Sequence, residues 1–180
     1  ARTLLDRWVL SRLDALVEEV GAALDEYDAQ RAARAIEAYV DDLSNWYVRR
    51  NRRRFWKGEL DADKRAAYAT LHEVLTTVTR LLAPIVPHVA DAIWDNLVAT
   101  VAGAGPDSVH LAAFPTRVEG RRDASVEEAV DLARRTVALG RTARAASGVR
   151  TRQPLRAVSV KLPGGASALS PDVSVAEELT

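Results

Sequence analysis

Residues 44–57, SNWYVRRNRRRFWK, hold six cations and four aromatics in fourteen positions. Arg49, Arg50, Arg52, Arg53, Arg54 and Lys57 stand there, and no acid occurs between residues 49 and 57. A guanidinium binds phosphate through two parallel hydrogen bonds and stacks on flat rings. An aromatic beside a row of cations offers a stacking face to an unpaired base. These residue types therefore point to contact with RNA or another phosphate. The bland alternative is a basic face that is merely solvated, or answered by acids from other helices. At 3.6 residues per turn, Trp46, Arg49, Arg50 and Arg53 share one side. Tyr47, Asn51, Arg54 and, less closely, Phe55 share another. The arginines cannot all be buried, because an unpaired guanidinium away from water is very costly. Trp46 and Tyr47 continue an apolar stripe that starts at Ala32, so both are expected to be structural, with Trp46 anchoring the helix to a core. The candidate RNA contacts are Arg49, Arg50, Arg52, Arg53, Arg54, Lys57 and Trp56.

No comparable set of residues suggests catalysis. The three histidines, His72, His88 and His110, lie in no H-E-x-x-H pattern. His72 falls within a helical pattern and His88 follows Pro87 at a helix start, where a satisfied or exposed imidazole is the ordinary outcome. Asp41 and Asp42 are adjacent and diverge on a helix. Gly103 and Gly105 are too few for a phosphate loop. The chain has no cysteine, which excludes a disulfide framework and a thiolate zinc site.

The elements that must position the basic stretch follow from periodicity. Leu5, Val9, Leu13, Leu16, Val20 and Leu24 recur at helical spacing and predict a helix over residues 3–25. Asp28 is a plausible N-cap for a second helix. Its stripe of Ala32, Ile36, Tyr39, Leu43, Trp46 and Tyr47 has no breaker before Gly58, so the helix is expected to run through Trp56. Gly58 suits the left-handed position after a helix end. Asp61 is placed to cap a third helix whose inner face is Tyr68, Leu71, Val74, Leu75, Val78, Leu81 and Leu82. Pro84 and Pro87 predict a break, with a new helix from about Pro87 to Leu97 and Trp94 packed back on the core. Residues 99–124 read as a loop. Ser125-x-x-Glu128 forms a capping box for a helix to about Ala146, with Gly148 beyond it. The alternation in LRAVSVKLP reads as a single strand, whose partners would lie elsewhere. The fold expected is all-α: an antiparallel bundle of about five helices over residues 1–147, followed by a truncated junction region, 148–180, with a short β-type tail.

Composition narrows the function further. The 25 basic and 25 acidic side chains cancel, so attraction to nucleic acid must come from local asymmetry. Apolar residues make up 48%, enough for a real core. No apolar run approaches the ~18 residues of a membrane span, and no signal peptide is visible. The opening on a helical pattern at Ala1, and the closing SVAEELT, read as a piece of a longer protein.

Four stretches carry a family resemblance. DDLSNWYVRRNRRRFWK resembles the hallmark of isoleucyl-tRNA synthetases; the related valyl enzymes share the WY helix but lack the arginine run. LLAPIVPHVADAIWDNL resembles the family's A-P-x-x-P helix pair, matched here by Pro84, Pro87, Ile93 and Trp94. SVHLAAFP resembles the end of that segment, and LGRTARAASGVRTRQPL resembles the junction to the family's C-terminal region. The resemblance spans residues 3 to 160 and implies the anticodon-binding domain of a class I synthetase, a helical bundle packed on the tRNA anticodon stem and loop. It implies a parent enzyme that attaches isoleucine to its tRNA with ATP and magnesium in the cytoplasm. The partners it implies are isoleucine tRNA and the catalytic and editing domains of the same chain, with no membrane and no DNA. The signatures H-x-G-H and K-M-S-K-S do not occur, so this piece is expected to hold no cofactor and to be inactive alone. Two rivals remain. A helical protein-interaction module would turn its basic face to an acidic partner or to solvent. A DNA-binding regulator would need a helix-turn-helix with a turn of ~3–4 residues, which the long helices disfavour.

Overall fold

The structure is a computed structural model that describes residues 2–56, 58–101, 105–150 and 152–157. Its contacts divide the chain into two compact units, Ala1–Asp123 and Ala124–Thr180, whereas the sequence places a domain boundary after residue 147.

In the first unit, α1 spans Leu4–Asp25. Thr3 caps it: its hydroxyl accepts from the Asp6 N–H, and the Asp6 carboxylate accepts from the Thr3 N–H at 2.8 Å. This reciprocal pair satisfies two donors that a helix start leaves unmade. Tyr27, at φ 58, turns the chain into α2, Ala29–Asp42, which Asp28 caps by accepting from the Arg31 N–H at 2.9 Å. The two helices run antiparallel. Tyr39 donates to the Val9 carbonyl, Tyr47 to Asp6 and Arg54 to Thr3, so position falls along α1 as it rises along α2 and its continuation.

That continuation is not the single regular helix expected up to Trp56. A π-helical stretch, Leu43–Val48, follows α2; a turn at Asn51 follows that; and a short helix α3 covers Arg52–Trp56. A π-turn widens the helix by a residue. Asn51 bridges the interruption, donating its N–H and its Nδ2 to the Tyr47 carbonyl, each at 3.0 Å. Gly58 then takes φ +80, the left-handed conformation that lets the chain leave the helix.

Helix α4, Ala62–Leu82, is capped by Asp61 as expected. Its inner face differs from the expected one. Ala67, Thr70, Val74, Thr77, Val78 and Leu81 are buried, while Tyr68 is 47% exposed. The small Ala67 leaves room for Tyr47, whose hydroxyl reaches the Ala67 carbonyl at 3.4 Å. The helix ends before Pro84, and α5, Pro87–Trp94, begins with proline in its first turn. A second π-stretch, Asp95–Ala99, extends it. Trp94 packs with Ala90, Val98 and Val109, and its indole N–H donates to the Pro106 carbonyl at 2.9 Å. The break is the one the prolines predict; Trp94 packs with its own segment, the loop that follows and the end of α4.

The principal core joins Leu5, Trp8, Val9, Leu13 and Val20 of α1 to Ile36 and Tyr39 of α2, Tyr47 beyond it, and Val74 and Leu81 of α4. The loop after α5 contains one 3-10 turn, Val109–Leu111. It is tied to α1 by Arg121, which donates to both oxygens of the buried Asp14 at 2.6 Å and also pairs with Glu73. In the second unit, α6 covers Ala124–Ala146, so Ser125 lies inside the helix it was expected to cap. Gly148 follows at φ +66. Residues 152–157 form no strand; the remainder of the expected β-type tail, like Lys57, lies outside the described residues. No helix among the described residues is long and apolar enough to cross a membrane.

Candidate nucleic-acid interface

The stretch after α2 sorts its residues by direction. Tyr47 is fully buried, Asn51 and Phe55 nearly so, and Arg54 lies with them. Arg49, Arg52 and Arg53 are exposed, and Trp56 is 69% exposed. Arg49, Arg52, Arg53 and Trp56 are spaced three and four apart, the spacing that puts side chains on one face of a helical segment.

Arg54 corrects the sequence reading. It was expected to contact phosphate, yet its side chain is only 14% exposed and is held by acids of two other helices. Its Nη1 and Nη2 each lie 3.0 Å from a carboxylate oxygen of Asp6 in α1. Nε and Nη2 donate to Asp63 of α4 at 2.9 and 2.8 Å. Nη1 also reaches Thr3 Oγ1 at 3.3 Å and Asn51 Oδ1 at 3.0 Å. Asp6, with no exposed surface, accepts from Tyr47 as well, at 2.7 Å. Burial pushes the Asp6 carboxyl up, but hydrogen bonds from Arg54, Tyr47 and the Thr3 N–H outweigh it and hold the group below the ordinary carboxylate value. Burial likewise works against the charge on Arg54, and its bonds to Asp6 and Asp63 overcome that and strengthen its hold on the proton. For this one arginine, a cation answered from other helices is the right description.

Trp46 is the second correction. It is half-buried and serves less as the anchor than Tyr47 does. The Arg50 guanidinium lies over its ring, 5.0 Å from the centroid. One residue group further along, Arg52 lies over Trp56 at 5.3 Å. Each pair is an i,i+4 cation–π contact, which fixes a flexible guanidinium on the surface. Phe55 points inward, edge-on to both Tyr47 and Tyr68, with centroids 6.3 and 5.4 Å away. The Tyr68 hydroxyl donates to the Phe55 carbonyl at 3.1 Å.

The sequence matches the family described as the anticodon-binding domain of tRNA ligase over residues 6–159. The chain belongs to this family. Among its relatives, the isoleucine–tRNA ligase of Streptomyces coelicolor is 48% identical over 180 residues, covering 99% of this chain and 17% of the relative. That of Thermobifida fusca is 50% identical over 163 residues, 91% of this chain and 15% of the relative. That of Thermus thermophilus is 46% identical over 160 residues, 88% of this chain and 15% of the relative. The chain thus spans about a sixth of the length of these relatives.

Within this anticodon-binding domain, the histidines are placed as the sequence suggests: His72 lies on α4 with Nε2 3.2 Å from the Leu97 carbonyl, and His88 is exposed at the start of α5. The residues that sequence reasoning missed are Asp6 and Asp63. Asp6 carried a readable signal, because it falls at helical spacing with Leu10, Leu13 and Val17. An acid inside an apolar stripe implies a buried cationic partner. Asp14, one turn beyond Leu10, carries the same signal and is answered by Arg121.

Proposed function

We propose that this chain is the tRNA-binding segment of an isoleucine–tRNA ligase and meets the anticodon stem and loop through Arg49, Arg50, Arg52, Arg53, Trp56 and the neighbouring Lys57. The observation that carries this reading is the exposure of Arg49, Arg52 and Arg53 in an acid-free run, with Trp56 exposed at the same three-and-four spacing. The family membership and the isoleucine–tRNA ligase relatives support tRNA as the ligand. Three exposed guanidiniums without intervening acids concentrate positive potential on one side of a chain with zero net charge, which favours a polyanion over a neutral surface. Aminoacylation itself, with its ATP and magnesium, belongs on this reading to other parts of a cytoplasmic parent enzyme, so the chain alone gives no isoleucine-dependent pyrophosphate exchange.

The test is a titration of the chain with isoleucine tRNA and an unrelated tRNA at several salt concentrations. Affinity falls steeply with salt, because each neutralised phosphate releases counterions. Arg53→Ala weakens both tRNAs about equally, since phosphates carry no sequence information. It makes the log–log salt slope shallower by about one unit. Stability stays within ~0.5 kcal/mol, as befits an exposed side chain. Unchanged affinity and slope, with a lowered melting temperature, would assign Arg53 to internal pairing and remove the basis of the reading.

A further inference from the structure

We infer that Trp56, with the Arg52 guanidinium over its ring, is a stacking seat for one unpaired nucleobase. The inference rests on the tRNA-binding reading and specifies what part of the RNA this position takes. The chain has four tryptophans. Trp8 and Trp94 are buried and Trp46 is half-buried, while Trp56 is 69% exposed. Its neighbour Phe55 is 8% exposed, so the short helix has an apolar side facing the core and still holds an indole out in water. Arg52, 5.3 Å from the ring centroid, occupies one face of the indole and steadies it, while most of the residue's surface stays exposed. Arg49 and Arg53 are exposed as well, seven and three residues before Trp56, a spacing that favours one helical side.

An open aromatic ring within a row of cations suits a ligand that is both anionic and flat. A nucleic acid with accessible base faces has that chemistry. A duplex does not, because its base faces are closed by their neighbours in the stack. An unpaired base can enter between the indole and solvent while its flanking phosphates lie over the arginines. Base–aromatic stacking tolerates any base and is worth ~1–3 kcal/mol per base. A guanidinium on the same ring adds a cationic contact for the ribose-phosphate on either side.

The experiment uses the full 180-residue chain and two RNAs: an anticodon stem–loop hairpin with 2-aminopurine at successive loop positions, and a fully paired duplex of matching length. On the wild-type chain, 2-aminopurine fluorescence is quenched at one loop position. Trp56→Ala abolishes that quenching and weakens hairpin binding about 5- to 150-fold, the weight of one stack. It leaves duplex affinity and the salt slope unchanged, because an indole releases no counterions. Trp56→Phe retains most of the hairpin affinity. If Trp56→Ala binds the hairpin as tightly as wild type and no loop position is quenched, while Arg53→Ala still flattens the salt slope, the stacking seat is overturned and the phosphate reading stands. If the wild-type chain shows no salt-dependent binding to either RNA, both fall together.

Discussion

Replacing Arg54 with Ala tests the division of the arginine run most directly. The substitution removes the guanidinium that donates to Asp6, Asp63, Thr3 and Asn51. Asp6 has no exposed surface and is left with the Tyr47 hydroxyl and the Thr3 N–H as donors. Removing one partner of a buried ion pair costs ~3–5 kcal/mol, because the remaining charge has neither water nor a counter-ion. At ~2–4 °C per kcal/mol for a chain of this size, the melting temperature drops by roughly 6–20 °C. The loss also depends on pH. Asp6 has a folded pKa below its unfolded value of 3.8, so the stability it contributes is full above that value and is lost as pH falls through the folded pKa. The gap between wild type and Arg54→Ala is therefore widest near neutral pH and narrows below about pH 4. Asp6→Asn in the Arg54→Ala background recovers part of the loss, since a neutral amide needs no cation. Thermal melts from pH 3 to pH 7 measure all three effects. An unchanged melting temperature together with a tRNA salt slope shallower by about one unit would show Arg54 to be a phosphate ligand, and would refute the assignment.

Three further substitutions separate structural from surface roles. Tyr47→Phe deletes the 2.7 Å donation to Asp6 without opening a cavity, and is expected to cost ~1.5–3 kcal/mol, the range for a hydrogen bond to a charged group, in a chemical melt. Trp46→Ala removes a half-buried ring and its Arg50 contact, for an expected ~1–2 kcal/mol from partial burial and one cation–π contact; a loss of 4 kcal/mol or more would restore Trp46 as the anchor. Phe55→Ala takes away the edge-on contacts to Tyr47 and Tyr68 and is expected to cost ~3–5 kcal/mol. Although it changes no charge, it should also weaken tRNA binding below the melting temperature, and tRNA affinity equal to wild type would show that the row of arginines does not depend on Phe55 for its placement.

What was legible in the sequence was local. Asp28 and Asp61 cap helices because a short acceptor must meet N–H groups two or three residues on, and both sides of that bond sit in one window of sequence. Pro84 and Pro87 end one helix and start another through their own rings and missing donors. Gly58 and Gly148 take positive φ where chains leave helices. What was not legible was the partner of Arg54. Asp6 is 48 positions away, and no spacing rule joins them. Helical phase did place Arg54 beside Tyr47 and Asn51 and away from Arg49 and Arg53, so its direction was readable even though its residue type suggested phosphate. Trp46 was misjudged for a different reason. The stripe from Ala32 assumes a constant 3.6 residues per turn, and the π-stretch over Leu43–Val48 breaks that assumption, so Tyr47 takes the deep position and Trp46 turns partly outward.

The density of cations and aromatics in residues 44–57 follows from the shortness of α3. A helix of five residues makes almost no stabilising backbone bonds of its own and cannot persist in water by propensity. It also follows a turn and a π-stretch, and its backbone link back to them runs through Asn51. Its orientation must come from side chains that reach other helices. Arg54 ties it to α1 and α4 by charge, and Phe55 ties it to Tyr47 and Tyr68 by packing. These two adjacent residues face inward, and Arg52, Arg53 and Trp56 around them are thereby forced outward. One turn of helix thus carries both its fastening and its proposed contact surface, and neither residue type alone reveals which is which. The fastening ends at Asp6, in the first turn of α1. Without that first turn, the placing of α3 would rest on Asp63 and Phe55.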